Sequence, residues 1–73
     1  MDQEKNYREI FADNLKYLMG DISVSEFARR VGIPQQTISR YLHCQREITL
    51  EYLCKIADYF HEDIDVLLGR KQF

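Results

Sequence analysis

With 73 residues, the chain has room for one domain, residues 1–73, and no second core. A domain of this size buries only about 60% of its unfolded surface, which favours a compact helical bundle. Hydrophobic residues at 45% and charged residues at 30% exclude a mainly disordered chain, and no apolar run approaches the roughly 20 residues of a membrane span. The formal net charge of −2 and pI near 5.6 run against a nucleic-acid binder, for which a basic domain is expected. The charged start, MDQEKNYRE, lacks the marks of a secretory signal, so a cytoplasmic location is expected.

In chain order, the first predicted helix runs from about Glu4 to Met19. Tyr7, Phe11, Leu15 and Leu18 make its apolar stripe and Gly20 its stop. Ser23 is placed to cap the second helix, with Glu26 completing a capping box and Ile22 and Phe27 a hydrophobic staple. Phe27, Ala28 and Val31 form the apolar side of that helix, and Gly32 supplies the left-handed turn that ends it. Pro34 suits the entry of a third helix, about 35–42, because its φ is helical and its missing N–H is not needed there. Ile38, Tyr41 and Leu42 form its inner stripe and leave Gln35, Gln36, Ser39, Arg40 and His43 in an outward row. Residues 43–48 read as a loop.

Thr49 is the next N-cap, with Glu51 in the first turn of a fourth helix. Leu50, Leu53, Cys54, Ala57 and Phe60 predict its buried face, with Tyr52, Ile56 and Tyr59 as a second stripe for another neighbour or a partner subunit. Asp63 is placed to cap a last short helix, IDVLL, closed by Gly69, with Ile64, Leu67 and Leu68 packing inward and RKQF frayed. The fold class is therefore all-α, a compact bundle of five helices with an ordered core of about 5–69. Two cysteines in a reducing compartment are expected as free thiols, with Cys54 buried. His43, Cys44, Cys54 and His61 lack metal-ligand spacing, so neither a metal site nor a cofactor is expected. No Gly-rich phosphate loop and no nucleophile–base constellation is present, and no enzyme activity or small-molecule substrate is expected.

The distribution of charge says more than its sum. From Phe27 to Arg46 there are four arginines (Arg29, Arg30, Arg40 and Arg46) and no acidic residue, although the chain carries twelve carboxylates elsewhere. This basic stretch coincides with the second and third helices.

At this point the chain resembles the lambda-repressor-like helix-turn-helix family, the phage repressor and Cro type. Ala28, Gly32 and Ile38 match its small–Gly–aliphatic spacing, and the likeness continues through Arg46, Leu50, Leu53, Ile56, Ala57, Asp65, Val66, Leu67 and Leu68, over residues 11–69. The resemblance implies a third helix lying in the DNA major groove. Base contacts would fall to Gln35, Gln36, Ser39, Arg40 and His43, and phosphate contacts to Ser23, Ser25, Thr37, Gln45 and Arg46. It also implies a sequence-specific regulator, a repressor, that binds a two-fold operator in double-stranded DNA as a homodimer, through the fifth helix, the turn before it, or the Tyr52/Tyr59 flank. The alternative from another class is a protein-interaction module of the same fold, an antirepressor or antitoxin component.

The chain departs from the pattern at three places. Cys44 stands where relatives often have glycine, and Ile48 where they often have proline. Tyr41 and Leu42 replace a bulky residue followed by glutamate, and an apolar contact between Leu42 and Tyr17 is expected in place of an ion pair.

Overall fold

The computed structural model describes residues 6–73. Among them five helices form and no strand: α1 (Tyr7–Met19), α2 (Val24–Val31), α3 (Gln35–Leu42), α4 (Leu50–Phe60) and α5 (Ile64–Leu67). The principal packing pairs run from α3 to α1, α5, α4, α2 and back to α3, so the helices close a ring around one core. No helix among the described residues is long and apolar enough to cross a membrane.

Local chemistry starts each helix. Asn6 caps α1 by accepting from the Glu9 amide at 2.9 Å, while the Glu9 carboxylate accepts from the Asn6 amide at 3.2 Å, a complete capping box. The expected start of this helix at Glu4, and Lys5 at the edge of the expected core, lie outside the described residues. Ser23 caps α2 by accepting from the Glu26 amide at 3.0 Å, but the Glu26 side chain turns to Arg29 and Arg30, so the box expected there is only half made. Thr49 caps α4 by accepting from the Tyr52 amide at 3.2 Å. Pro34 precedes α3 in an extended conformation (φ −56°, ψ 139°) and occupies the N-cap position, one residue earlier than its helical φ suggested. Asp63 holds the N-cap position of α5 without a capping bond, because its carboxylate accepts from Lys71 Nζ at 2.6 Å.

Several helices share one ending. Gly32 takes the left-handed conformation (φ 75°) after α2, and its amide and that of Ile33 both donate to the Ala28 carbonyl, at 2.9 and 3.2 Å. After α3, Cys44 (φ 58°) donates to Tyr41 O at 3.1 Å and Gln45 to Arg40 O at 2.8 Å, a Schellman motif with cysteine at its left-handed position. His61 (φ 57°) plays the same part after α4, with Glu62 N bonded to Ala57 O at 3.0 Å. After α5, Gly69 is also constrained by space: a Cβ there would lie 2.6 Å from Ile10 Cγ2 on α1.

The core takes Phe11, Ala12 and Leu15 from α1, Phe27, Ala28 and Val31 from α2, Ile38 and Tyr41 from α3, Leu53, Ile56 and Ala57 from α4, and Val66 and Leu67 from α5. Ile33 of the turn is also buried, and Ile22 packs against the cluster that holds Phe27, as the staple requires. Phe27 is its aromatic centre, stacked on Phe60 at 5.4 Å and met edge-on by Tyr59 at 5.6 Å.

Four expectations fail at the surface of this core. Tyr7, at the end of the α1 stripe, is 55% exposed. On α4 the buried direction is set by Leu53, Ile56 and Ala57, which turns Leu50 (82% exposed) and Cys54 outward. On α5, Val66 replaces Ile64 as the inward residue, since α5 is a single turn and presents only one edge to α1 and α4. The RKQF tail, expected to fray, is exposed and irregular but makes side-chain contacts: Arg70 faces Asp65 at 3.5 Å, Lys71 pairs with Asp63, and Phe73 packs on Tyr17 at 5.1 Å between ring centres. Tyr17 is thereby occupied by Phe73, while Leu42 is half-buried against the core.

The half-buried Asn14 joins the two chain ends. Its side-chain amide donates to Val66 O at 3.1 Å and Leu67 O at 3.0 Å, satisfying carbonyls at the end of α5. Asn14→Ala is expected to lower stability by about 1–3 kcal/mol in a urea melt, because the Leu67 carbonyl loses the Asn14 amide in a part-buried place while Val66 O keeps only the Gly69 amide. Cys44→Gly is expected to raise stability by about 0.5–1 kcal/mol, since glycine adopts the left-handed conformation without the Cβ clash. A destabilised glycine variant would show that the thiol's packing outweighs the backbone strain.

Candidate nucleic-acid interface

The site is built on α3, whose two faces have opposite jobs. Ile38 and Tyr41 are 0% and 1% exposed and fasten the helix to the core. Tyr41 meets Phe11 of α1 edge-to-face at 5.9 Å, and Ala28, buried on α2, has no bulk to hold the two helices apart. At 100° per residue, Gln36, Arg40 and His43 project opposite that anchored face, flanked by Gln35. All four are exposed, whereas Ser39 is half-buried at the edge of the row.

His43 is not a free side chain. Its Nδ1 lies 2.8 Å from the carbonyl oxygen of Ser39. A carbonyl only accepts, so Nδ1 carries a proton and points back at α3, which leaves Nε2 as the outward ring nitrogen. Tyr41 carries an oddity at the opposite side of the helix. Its hydroxyl is buried with no close hydrogen-bond partner, only a weaker approach to the Thr49 backbone, and burial pushes it above the usual tyrosine range against the opposing pull of Arg46 and of that backbone.

Ser25 is exposed in the first turn of α2, next to the exposed cap residue Ser23, whose Oγ already accepts from Glu26. Thr37 is half-buried on α3. Gln45 and Arg46 are exposed in the loop, where the hydrogen bond from Gln45 N to Arg40 O ties the chain to the last turn of α3.

The arginine cluster is less basic than its sequence implies. Glu26 pairs with both Arg29 and Arg30, the latter at 2.7 Å, and Arg30 also donates to the Tyr59 hydroxyl of α4 at 3.2 Å. The hydrogen bond from Arg30, then that from Arg29, holds the Glu26 carboxyl below its usual range. Arg40 and Arg46 have no such carboxylate among the described residues. Sequence spacing contains this pairing, because Glu26 stands three and four residues before the two arginines on a helix. Cys44 and Cys54 are free thiols, half-buried and exposed respectively. Among the described residues no group of three His, Cys, Asp or Glu is placed to hold a metal ion.

A family model for the helix-turn-helix matches residues 15–67, most of the chain and all of α2 to α5. The chain belongs to the Cro/C1-type helix-turn-helix family. It is accordingly a DNA-binding regulator of a family that is typically non-enzymatic, with α2 and α3 as the two helices of the motif. No curated protein and no solved structure matches it.

Glu26 gives a direct test of the electrostatics. Its pair with the arginines persists at neutral pH and is lost only as pH falls through its lowered folded value. Glu26→Gln, at neutral pH, is expected to release Arg29 and Arg30 and to steepen the salt dependence of DNA binding by about one to two phosphate contacts. A slope measured by anisotropy that equals the parent's would show that these two arginines face away from DNA.

Proposed function

We propose that the chain is a sequence-specific transcriptional repressor, working in the cytoplasm as one DNA-binding domain that pairs as a homodimer on a two-fold operator. The observation that carries this reading is the outward row of α3: Gln35, Gln36, Arg40 and His43 are exposed opposite the buried Ile38 and Tyr41, in a family whose members bind DNA. With α3 in the major groove, Gln36 and Gln35 pair with adenine N6 and N7, and Arg40 with guanine O6 and N7. His43, its Nδ1 held by the Ser39 carbonyl, turns Nε2 toward the base edges. Ser39 reads only from the edge of the row.

Phosphates on either side are met by Ser25 and the start of α2, by Thr37, and by Gln45 and Arg46 after α3. Ser23 keeps its O–H to donate to a phosphate while its oxygen caps the helix. Dimerisation follows from affinity, because one short helix touches too few bases for useful specificity. Tyr59 is not free for that role: its ring packs on Phe27 and Phe60 and its hydroxyl on Arg30. Exposed Leu50 and Ile64 are better placed for a second copy.

Selection of bound DNA from a random library is expected to return a palindrome. Replacing Gln36 and Arg40 together by alanine is expected to weaken the selected site by roughly 30-fold or more, at about 1–3 kcal/mol for each bidentate pair, with the residual non-specific binding little changed. Equal loss on specific and random DNA would sink the assignment of these residues to bases, and a non-palindromic consensus would sink the two-fold operator.

A further inference from the structure

Between the first turn of α1, the loop after α3 and the end of α5 lies a half-open cleft of about 420 Å³. Its floor is apolar, made by buried Phe11 and Leu53 and half-buried Ile48 and Leu68. Its rim carries the charged side chains of Arg8, Arg46 and Glu47. Glu47 and Arg8 face each other at 4.0 Å and offset one another's charge. Arg46 has no carboxylate partner among the described residues, so the rim has one uncompensated cation above an apolar floor.

We propose that this cleft binds a small organic monoanion, an aromatic or short aliphatic carboxylate, with its carboxylate on Arg46 and its body over Phe11, Ile48, Leu53 and Leu68. The dimensions suit such a ligand: an enclosed cavity of about 150 Å³ admits benzene, so this cleft holds a fused bicycle with its carboxylate at the open side. A guanidinium offers a planar pair of donors that matches a carboxylate, which fixes the ligand's direction as well as its charge. A cation is disfavoured by Arg46, and a fully polar anion gains nothing from the floor.

The position of Arg46 gives the site a consequence. The same guanidinium is the proposed phosphate contact beside α3, so ligand and DNA backbone compete for one side chain. This linkage rests on the DNA-binding role proposed above; the ligand site does not.

The test is a titration of the ¹⁵N-labelled full chain with 1-naphthoate, and with the uncharged 1-naphthamide as control, in the absence of DNA. Naphthoate is expected to move the amide signals of Phe11, Ile48 and Leu53 saturably, with naphthamide about tenfold weaker for want of the charge-assisted bond. Arg46→Gln is expected to erase the difference between the two probes. No saturable shift at these amides, or equal binding of acid and amide, overturns the site. With operator DNA present, naphthoate is expected to weaken binding by the parent chain and not by Arg46→Gln; an equal effect on both overturns the linkage alone. A chain that binds naphthoate but no DNA would defeat the reading of function and leave the cleft standing.

Discussion

The structure depends on the burial of Ile38 and Tyr41, because α3 cannot stand alone. An eight-residue helix is marginal in water, so its existence and its rotation about its own axis both come from the core. Each fully buried side chain of this size contributes roughly 1.5–3 kcal/mol, enough to fix which residues face outward. Gln36, Arg40 and His43 are outward because these two are inward. The Tyr41 hydroxyl works against this anchoring, since it is buried with no close partner and only the Thr49 backbone near it. What the ring returns is its edge-to-face contact with Phe11, which ties α3 to α1, while buried Ala28 lets α2 pack close and Gly32 makes the left-handed turn between α2 and α3.

Electrostatics then divide the basic stretch into two parts. Glu26 holds Arg29 and Arg30 along α2, and Arg30 alone reaches on to Tyr59 and serves the α2–α4 contact. Among the described residues Arg40, in the last turn of α3, and Arg46, in the loop after it, have no carboxylate partner. An acidic chain can thus present positive charge where a base or a phosphate would sit, while Glu47, Asp63 and Asp65 are matched by Arg8, Lys71 and Arg70 elsewhere. The useful field is local, which is why net charge was a poor guide.

Much of this was legible from residue spacing, and the misses have physical causes. Ser23, Gly32 and Thr49 announce helix ends because caps and left-handed turns are decided by one or two residues. Phe27, Ala28, Val31, Ile38 and Tyr41 are found by periodicity, since α2 and α3 each bury a single side. The α4 helix is apolar over most of its circumference, so periodicity cannot choose its buried side, and Leu50 and Cys54 were assigned inward by mistake. Asn14 was passed over because a polar residue beside a stripe carries no sign of which carbonyls it will meet. The contacts of the tail escape the sequence because its partners, Asp63, Asp65 and Tyr17, belong to other elements, and pairings across the fold are invisible to local patterns. For the outward row, spacing gives exposure, whereas the hydrogen bond of His43 Nδ1 and the half-burial of Ser39 need coordinates.

The loop after α3 shows how geometry can be kept when its usual residue is lost. A Schellman ending is defined by backbone hydrogen bonds, from Gln45 to Arg40 and from Cys44 to Tyr41, and these form here with cysteine at the left-handed position. The bonds set the direction in which the chain leaves the helix, and the side chain at Cys44 sets only the strain of doing so. The same device recurs after α4 with His61, so the chain twice accepts a left-handed non-glycine residue to preserve a turn. Because the Gln45 amide is bonded to the carbonyl of Arg40, the start of the loop is carried by the same turn of α3 that presents Arg40. Arg46 follows immediately, at the rim of the cleft, and its reach is therefore referenced to α3 rather than left to a drifting connection. On the proposed reading, with α3 against DNA and a carboxylate ligand on Arg46, that reference matters, since one side chain could answer to both only if the backbone behind it stayed fixed.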